Sequence, residues 1–413
     1  MIENVIFFAF SFIFMKSILY TLLSIISISK KYSKQVWIKD VKIKNYPYVT
    51  LIIPLFKEGI NDIARTFNSI IKQKYPRSKL QVLIVVEEYD EETYSNVNLL
   101  KHLLERNNIR HHIIINKGPR KCKAKAINYA LKYVDKRSNV IGIYDGGDDI
   151  PDDLQVAKAV NLINKGFDVV GVKVLRNGRS LLGFLSLIDS TLWCHVMLPA
   201  LVKLTSYPLF SGEGLFISRR FIEQIGGLPE KLTEDSYLAI YLAMYRRKAA
   251  LLDSIVLEGA PANLRSLIKQ RLRWFKGYVE CMVEVIMCNN LTLPTKLKLL
   301  MAYLSPYTLT AMPTSCIVFT LSIFVSMPIP IIVMSLAVIV FTLIAPLYVV
   351  FIGVRDQRIF VAPLYWIFLG LIAFISILIP RISWYKTIRT PLSKVSREYL
   401  EFIEVPEMQK LKS

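Results

Sequence analysis

Val49-Thr50-Leu51-Ile52-Ile53-Pro54-Leu55-Phe56-Lys57-Glu58 decides the fold class. The run is apolar on both alternating faces, rich in β-branched residues, and too short for a core helix, which predicts a strand buried on both sides. A polar Lys57-Glu58-Gly59 follows where that strand would end, and Ile60–Gln73 then takes helical spacing. The same alternation repeats downstream. Leu80–Val86 is a second strand run, closed by Glu87-Glu88-Tyr89-Asp90-Glu91-Glu92. His112–Ile115 is a third, followed by Lys117-Gly118-Pro119-Arg120-Lys121 and a helix from about Lys123. Val140–Tyr144 is a fourth, closed by Asp145-Gly146-Gly147-Asp148-Asp149. Strands alternating with helices predict a mostly parallel α/β sheet. In such sheets ligands bind beyond the carboxyl ends of the strands, where these polar clusters fall.

Outside this core the chain is apolar and basic. Of 413 residues, 52 are Lys or Arg and 32 Asp or Glu, a formal charge of +20, while 53% are apolar. Mean hydropathy is +0.39. Such values together require charge and apolar sequence to be segregated. The apolar content excludes a disordered chain. Five scattered cysteines and four histidines show neither disulfide nor zinc spacing. Residues 4–29 are long enough to cross a ~30 Å hydrocarbon core. Lys30, Lys31, Lys34, Lys39, Lys42 and Lys44 follow them and predict a cytoplasmic location for the next segment. Apolar sequence resumes at Leu297–Met327, Ile331–Val354 and Ile359–Pro380. Three simple crossings would place the basic tail (Arg381, Lys386, Arg389, Lys394, Arg397) outside, against the same rule. Pro306 and Pro313 break Leu297–Met327, so that stretch is expected to re-enter or to divide, returning the tail to the cytoplasm. The basic balance then reads as membrane topology, with no nucleic-acid module.

A carboxylate cluster after a buried strand suits a hard cation, Mg2+ or Mn2+, which takes carboxylate and phosphate oxygens. The basic Lys117–Lys125 loop on the same rim would balance a diphosphate. Each piece alone is bland, since Asp-Gly-Gly-Asp-Asp is usually a turn and a lysine run usually a solvated face. Their order along successive strand ends is the signal.

That order resembles the family 2 glycosyltransferases, the membrane-embedded group with cellulose, chitin and hyaluronan synthases. Leu51–Glu58 resembles the opening strand of their GT-A domain, and Val85–Thr93 the acidic segment near the nucleotide base. Lys123-Ala124-Lys125-Ala126-Ile127-Asn128 is similar to the family's Lys-x-x-Ala-Leu-Asn helix start. Tyr144–Pro151 resembles the metal-binding aspartate loop with one extra glycine, which leaves Asp148 and Asp149 as alternatives for the second ligand beside Asp145. Ser211-Gly212-Glu213-Gly214 and Thr233-Glu234-Asp235 resemble acceptor-side motifs, and Gln270-Arg271-Leu272-Arg273-Trp274 matches Gln-x-x-Arg-Trp. Trp384-Tyr385-Lys386-Thr387-Ile388-Arg389 resembles the Trp-x-Lys-Thr end of related enzymes.

The resemblance implies a GT-A-like, Rossmann-type α/β nucleotide-sugar domain (49–263) inserted between transmembrane helices. An N-terminal helix and basic linker (1–48) would precede it. An amphipathic interfacial segment (264–296), a transmembrane region (297–380) and a basic tail (381–413) would follow. It implies inverting transfer from a nucleotide-diphosphate sugar, expected to be a UDP-sugar, to a polysaccharide or lipid-linked hydroxyl at the cell membrane. Asp235, with Glu234 beside it, would be the base. Pro54, Glu58, Glu87, Glu88, Asp90, Lys123, Asp145, Gln270, Arg273 and Trp274 would bind the donor, with Arg273 on the diphosphate and Trp274 on the acceptor sugar. Asp145 and Asp148 or Asp149 would hold the metal. Two alternatives stand beside this reading: single addition to a lipid, and an inactive nucleotide-sugar-binding scaffold. A helix cap with early acidic residues also explains Thr233-Glu234-Asp235, and a basic interfacial helix with a Trp anchor also explains Gln270–Trp274.

Overall fold

The structure is a computed structural model that describes residues 36–39, 41–117, 122–351, 357–384 and 386–393. The apolar run 4–29 and the lysines up to Lys34 lie outside the described residues. Eight strands form one sheet in the order β1-β8-β6-β7-β5-β2-β3-β4. Here β1 is Trp37–Ile38, β2 Tyr48–Leu55, β3 Leu80–Glu87, β4 Arg110–Asn116, β5 Ser138–Ile143, β6 Val169–Asn177, β7 Leu215–Ser218 and β8 Ala249–Gly259. All neighbours are parallel except β7, which runs antiparallel to both β5 and β6. Helices follow the parallel strands: α1 Ile60–Lys72, α2 Glu91–Arg106, α3 Lys123–Ala130 and α4 Gln155–Asn164.

Period-two alternation explains the layers. Val49, Leu51, Ile53 and Leu55 of β2 pack with Ile63, Phe67 and Ile70 of α1, whereas Ile52 joins the opposite cluster with α3. Pro54 sits in a central strand without cost. The carbonyl of Ile52 accepts from the Tyr144 N–H at 3.2 Å, so the β5 side of β2 is the side Pro54 shares with Ile52. The last β2–β5 pair is Ile52 with Ile143, so the missing N–H falls beyond that ladder.

The remaining helices are α5 Leu181–Leu192, α6 Leu198–Thr205, α7 Arg219–Gln224, α8 Glu234–Met244 and α9 Leu264–Met287. Asn263 caps α9 by accepting from the Ser266 N–H at 2.9 Å. A third apolar cluster joins Phe184 and Ile188 of α5, Phe275 of α9, and Trp366, Leu369 and Ala373 of α13 (Ala362–Leu378).

Among the described residues, two helical stretches are long and apolar enough to cross a membrane, Leu181–Thr205 and Gln357–Leu378. The first joins α5 and α6 through a π turn at Trp193–Met197 and is 56% buried over its apolar window, so it also serves the domain core. Sequence patterning did not single it out, because its apolar face is a core face. Leu297–Met327 divides, as its prolines predict. It becomes α10 (Leu293–Leu304, 12 residues), a 3-10 turn at Ser305–Thr310 and α11 (Ala311–Leu321, 11 residues). Each is shorter than the ~20 residues a span requires. Then come α12 (Ile329–Phe351) and α13. Beyond α13 the chain returns to the sheet, where Arg389 pairs with Pro261 as an isolated bridge.

Candidate active site

One antiparallel strand brings four chain segments to one rim. Asp145 follows β5, Arg176 ends β6, and Glu258 ends β8. Because β7 runs the other way, its start rather than its end lies at this edge, and Glu213 stands two residues before it. Gly214 makes that turn possible: its φ is +61°, and a Cβ there would lie 2.3 Å from Val172 Cγ2. Carboxylate oxygens of Asp145, Glu213 and Glu258 all lie within 4.8 Å of one another.

Three cations surround the three carboxyl groups. Lys123 Nζ pairs with Asp145 and donates to the Gly212 carbonyl at 2.9 Å. Arg176 Nε lies 2.5 Å from Glu258 Oε2, and its Nη2 lies 3.7 Å from Glu213. Arg389 Nη2 lies 3.2 Å from Asp145, pairs with Glu258, and is 3.9 Å from Glu213. Burial works against ionisation of Asp145, but Lys123 and Arg389 outweigh it and hold the carboxyl at about 2. Glu213 goes the other way: burial, then Glu258 and Asp145, push it up to about 8.

Asp148 and Asp149, expected as metal ligands, stand outside this carboxylate group. Asp148 is fully buried and accepts the Asp145 N–H at 2.7 Å, so it shapes the loop that presents Asp145. Burial, reinforced by Asp145 and Glu213, raises its carboxyl well above the usual range. Asp149 accepts from Ser69 Oγ at 3.0 Å, and its backbone pairs with Leu257. Within the loop Gly147 takes φ +93°.

Residues expected around the nucleotide line the ends of β2, β3 and β4. Glu87 is buried and accepts from Asn116 Nδ2 at 2.8 Å, leaving the buried Asn116 Oδ1 unbonded. Glu88 is exposed. Asp90 caps α2 through the Thr93 N–H and also accepts the N–H of Lys57, a non-glycine residue held at φ +53°. The buried Glu58 pairs with Lys386 at 2.7 Å. Burial raises the Glu58 carboxyl, with Lys386 opposing.

A second acidic pair faces Lys123 from the start of α8. A methyl group on Gly212 would lie 3.0 Å from Lys123 Nζ, 3.4 Å from Asp235 Oδ2 and 3.8 Å from Glu234 Oε1. The Thr233 hydroxyl does not cap α8. It points instead to α9, where a Cβ on Gly277 would strike it at 2.4 Å. Asp235 Oδ1 accepts the Ser236 N–H at 2.7 Å. Burial raises Asp235, with that N–H, Lys123 and Arg273 opposing. Burial, then Asp235, takes Glu234 to about 7.

Of the α9 motif, Gln270 is buried with Oε1 unbonded, and Arg273 donates to the Leu232 carbonyl at 3.2 Å with Nε unbonded. Both atoms are buried without a hydrogen-bond partner. Trp274 is engaged differently from the sugar stacking that the resemblance implies. The guanidiniums of Arg176 and Arg271 stand 4.7 and 4.4 Å from its ring centroid, and Arg271 in turn pairs with Asp189 at 2.5 Å.

Glu234 gives a pH prediction. A carboxyl raised by folding stabilises the protein most below its unfolded value near 4.5, and that contribution is lost as pH rises through about 7. Glu234→Gln removes the buried charge, so thermal unfolding should show a gain of about 1–3 kcal/mol at pH 8 and little change at pH 4.5. A gain that is largest in acid would reverse the sign of this argument.

Sequence reading did not assign Glu258, Arg176, Lys386 or Arg389 to the site, and it quoted Glu213 without giving it a role. Glu258 did leave a signal: it is a lone carboxylate ending the apolar run Ile255-Val256-Leu257.

Residues 47–277 match the model of the glycosyltransferase like family 2. Over 240 residues the chain is 25% identical to the probable glycosyltransferase YdaM of Bacillus subtilis (strain 168), a match covering 57% of this chain and 56% of that protein. The chain thus spans little more than half the length of that relative. Among solved structures it resembles the mannosyltransferase PcManGT from Pyrobaculum calidifontis in complex with GDP-Man and Mn2+. The TM-score is 0.62 at 20% identity, covering 92% of this chain and 98% of that one, and the likeness shows a shared GT-A-like α/β fold. With the family model covering more than half of its length, the chain belongs to the glycosyltransferase like family 2.

Proposed function

We propose that the protein is a membrane-bound, inverting glycosyltransferase that moves a sugar from a nucleoside-diphosphate sugar to a hydroxyl of a glycan or lipid-linked acceptor. The observation that carries this reading is the position of Lys123. It joins the Asp145, Glu213 and Glu258 cluster to the Glu234 and Asp235 pair across Gly212. Leaving-group and acceptor chemistry would thereby face one cleft. Three carboxylates this close fit a hard divalent cation, Mg2+ or Mn2+, which would supply charge neutralisation for a leaving diphosphate. Asp145, Glu213 and Glu258 would hold it, while Lys123 and Arg273 Nε carry further positive charge toward phosphate oxygens. Asp235 would take the acceptor proton. Its raised carboxyl suits a base working near neutrality. Gln270 Oε1 would accept from a sugar or acceptor hydroxyl.

Membranes incubated with labelled UDP- and GDP-sugars should yield a labelled glycan or glycolipid from one donor, and sizing the product separates polymer from single addition. Gly212→Ala is expected to cut that transfer at least about tenfold, because the added methyl enters the space between Lys123 and Asp235. Unchanged transfer would mean that substrate does not use that space.

The tail supports a membrane arrangement with an even number of crossings between α9 and Lys386, since Arg389 and Asp145 must share one side. A crossing by the apolar sequence 331–354 paired with α13 satisfies this, with exposed Phe360, Leu364, Phe374 and Leu378 facing lipid. A Lys394→Cys label should resist impermeant maleimide in intact cells and react after lysis. Labelling in intact cells would place the tail outside.

A further inference from the structure

We propose that Arg389 is a stand-in for the divalent cation: its guanidinium and the metal exclude one another, so metal loading displaces segment 386–390 from the active site. The inference rests on assigning the metal to Asp145, Glu213 and Glu258. One guanidinium reaches all three of these carboxylates. One oxygen from each of these carboxylates lies within 4.8 Å of one from the other two, so a metal held among them would crowd the guanidinium.

The segment is seated for this position. The Ala262 N–H donates to the Ile388 carbonyl at 2.8 Å, and the Thr390 N–H to the Ala260 carbonyl at 2.8 Å. Arg389 Nη1 donates to the Gly146 carbonyl at 3.1 Å, and Lys386 Nζ to the Lys57 carbonyl at 2.6 Å. Two glycines admit the chain. A Cβ on Gly178 would lie 2.4 Å from Thr390 Oγ1, and one on Gly259 would lie 2.3 Å from the Thr390 carbonyl oxygen.

Charge makes the exclusion thermodynamic. Lys123, Arg176 and Arg389 already pair with these carboxyl groups, so an added dication meets a site with at least as many positive as negative charges unless Arg389 leaves. Lys386 and Arg389 follow one another within four residues, and their partners Glu58 and Asp145 face the same cleft. Withdrawal of Arg389 therefore pulls on the Glu58 contact as well, and the segment is a gate that the metal opens.

The test uses purified full-length protein in detergent, with bound Mn2+ followed by electron paramagnetic resonance and the tail followed by limited trypsin cleavage after Lys386 and Arg389. Arg389→Ala should bind Mn2+ at least about tenfold more tightly than the wild type. In the wild type, Mn2+ should speed cleavage after both residues severalfold, and Mg2+ should do the same. The wild-type cleavage experiment stands even if the variant fails to fold. Equal Mn2+ affinity, or cleavage that Mn2+ leaves unchanged or slows, overturns the exclusion while leaving the metal assignment intact. Absence of Mn2+ binding in both proteins overturns the metal assignment and the exclusion with it.

Discussion

Asp235→Asn is expected to lower sugar transfer by about 10²–10⁴ while affinity for the nucleotide donor stays within about threefold. The substitution keeps the shape of the side chain and its acceptor bond from the Ser236 N–H, but it removes the group that would accept the acceptor proton. Lys123 and the Asp145 cluster, which would hold the donor, are untouched. Transfer should therefore fall in kcat, with little change in the KM for the donor. Glu234→Gln is the control. It also faces Gly212, but the proton transfer is assigned to Asp235, so a loss of about tenfold or less is expected. Near-normal transfer in a folded Asp235→Asn protein would reduce Thr233-Glu234-Asp235 to a helix start.

Asp145→Ala should be as damaging, by about 10³ or more. It deprives Lys123 and Arg389 of their shared partner and takes one ligand from the proposed cation site. Glu258→Gln should reduce activity comparably, because its carboxylate meets both Arg176 and Arg389. By contrast Asp149→Asn should keep activity within about fivefold, since Ser69 Oγ still finds an acceptor there. Asp148→Asn should lie between, through the loop that it holds under Asp145. An order in which Asp149 matters most would return the metal to the aspartate loop alone.

The parallel half of the sheet was legible because β2, β3 and β5 are continuous apolar runs, and each ends in a charged cluster. Asp145 and Lys123 could be named for the same reason. Glu213 escaped a role because it depends on strand direction. Only when β7 runs antiparallel does a residue before a strand meet residues after strands, and no periodicity encodes direction. Arg389 is 244 residues from Asp145, a distance that only the return of the chain after α13 closes. Trp274 was legible as part of a motif, but its environment was not. Arg176 comes from β6 and Arg271 from the motif's own variable position, and together they engage the ring. The glycine excess in Asp145–Asp149 was visible in sequence. That Asp148 turns back onto the Asp145 N–H required coordinates.

The central claim is that one cleft carries both a cation-dependent leaving-group site and the Asp235 base. The most direct measurement is transfer of labelled sugar from the active donor, in wild type and in Asp235→Asn, each assayed with EDTA and with restored Mn2+. The expected result is wild-type transfer abolished by EDTA and recovered with Mn2+, and Asp235→Asn transfer that Mn2+ does not recover. Wild-type transfer that persists in EDTA, or Asp235→Asn transfer near the wild-type rate with Mn2+, would contradict it.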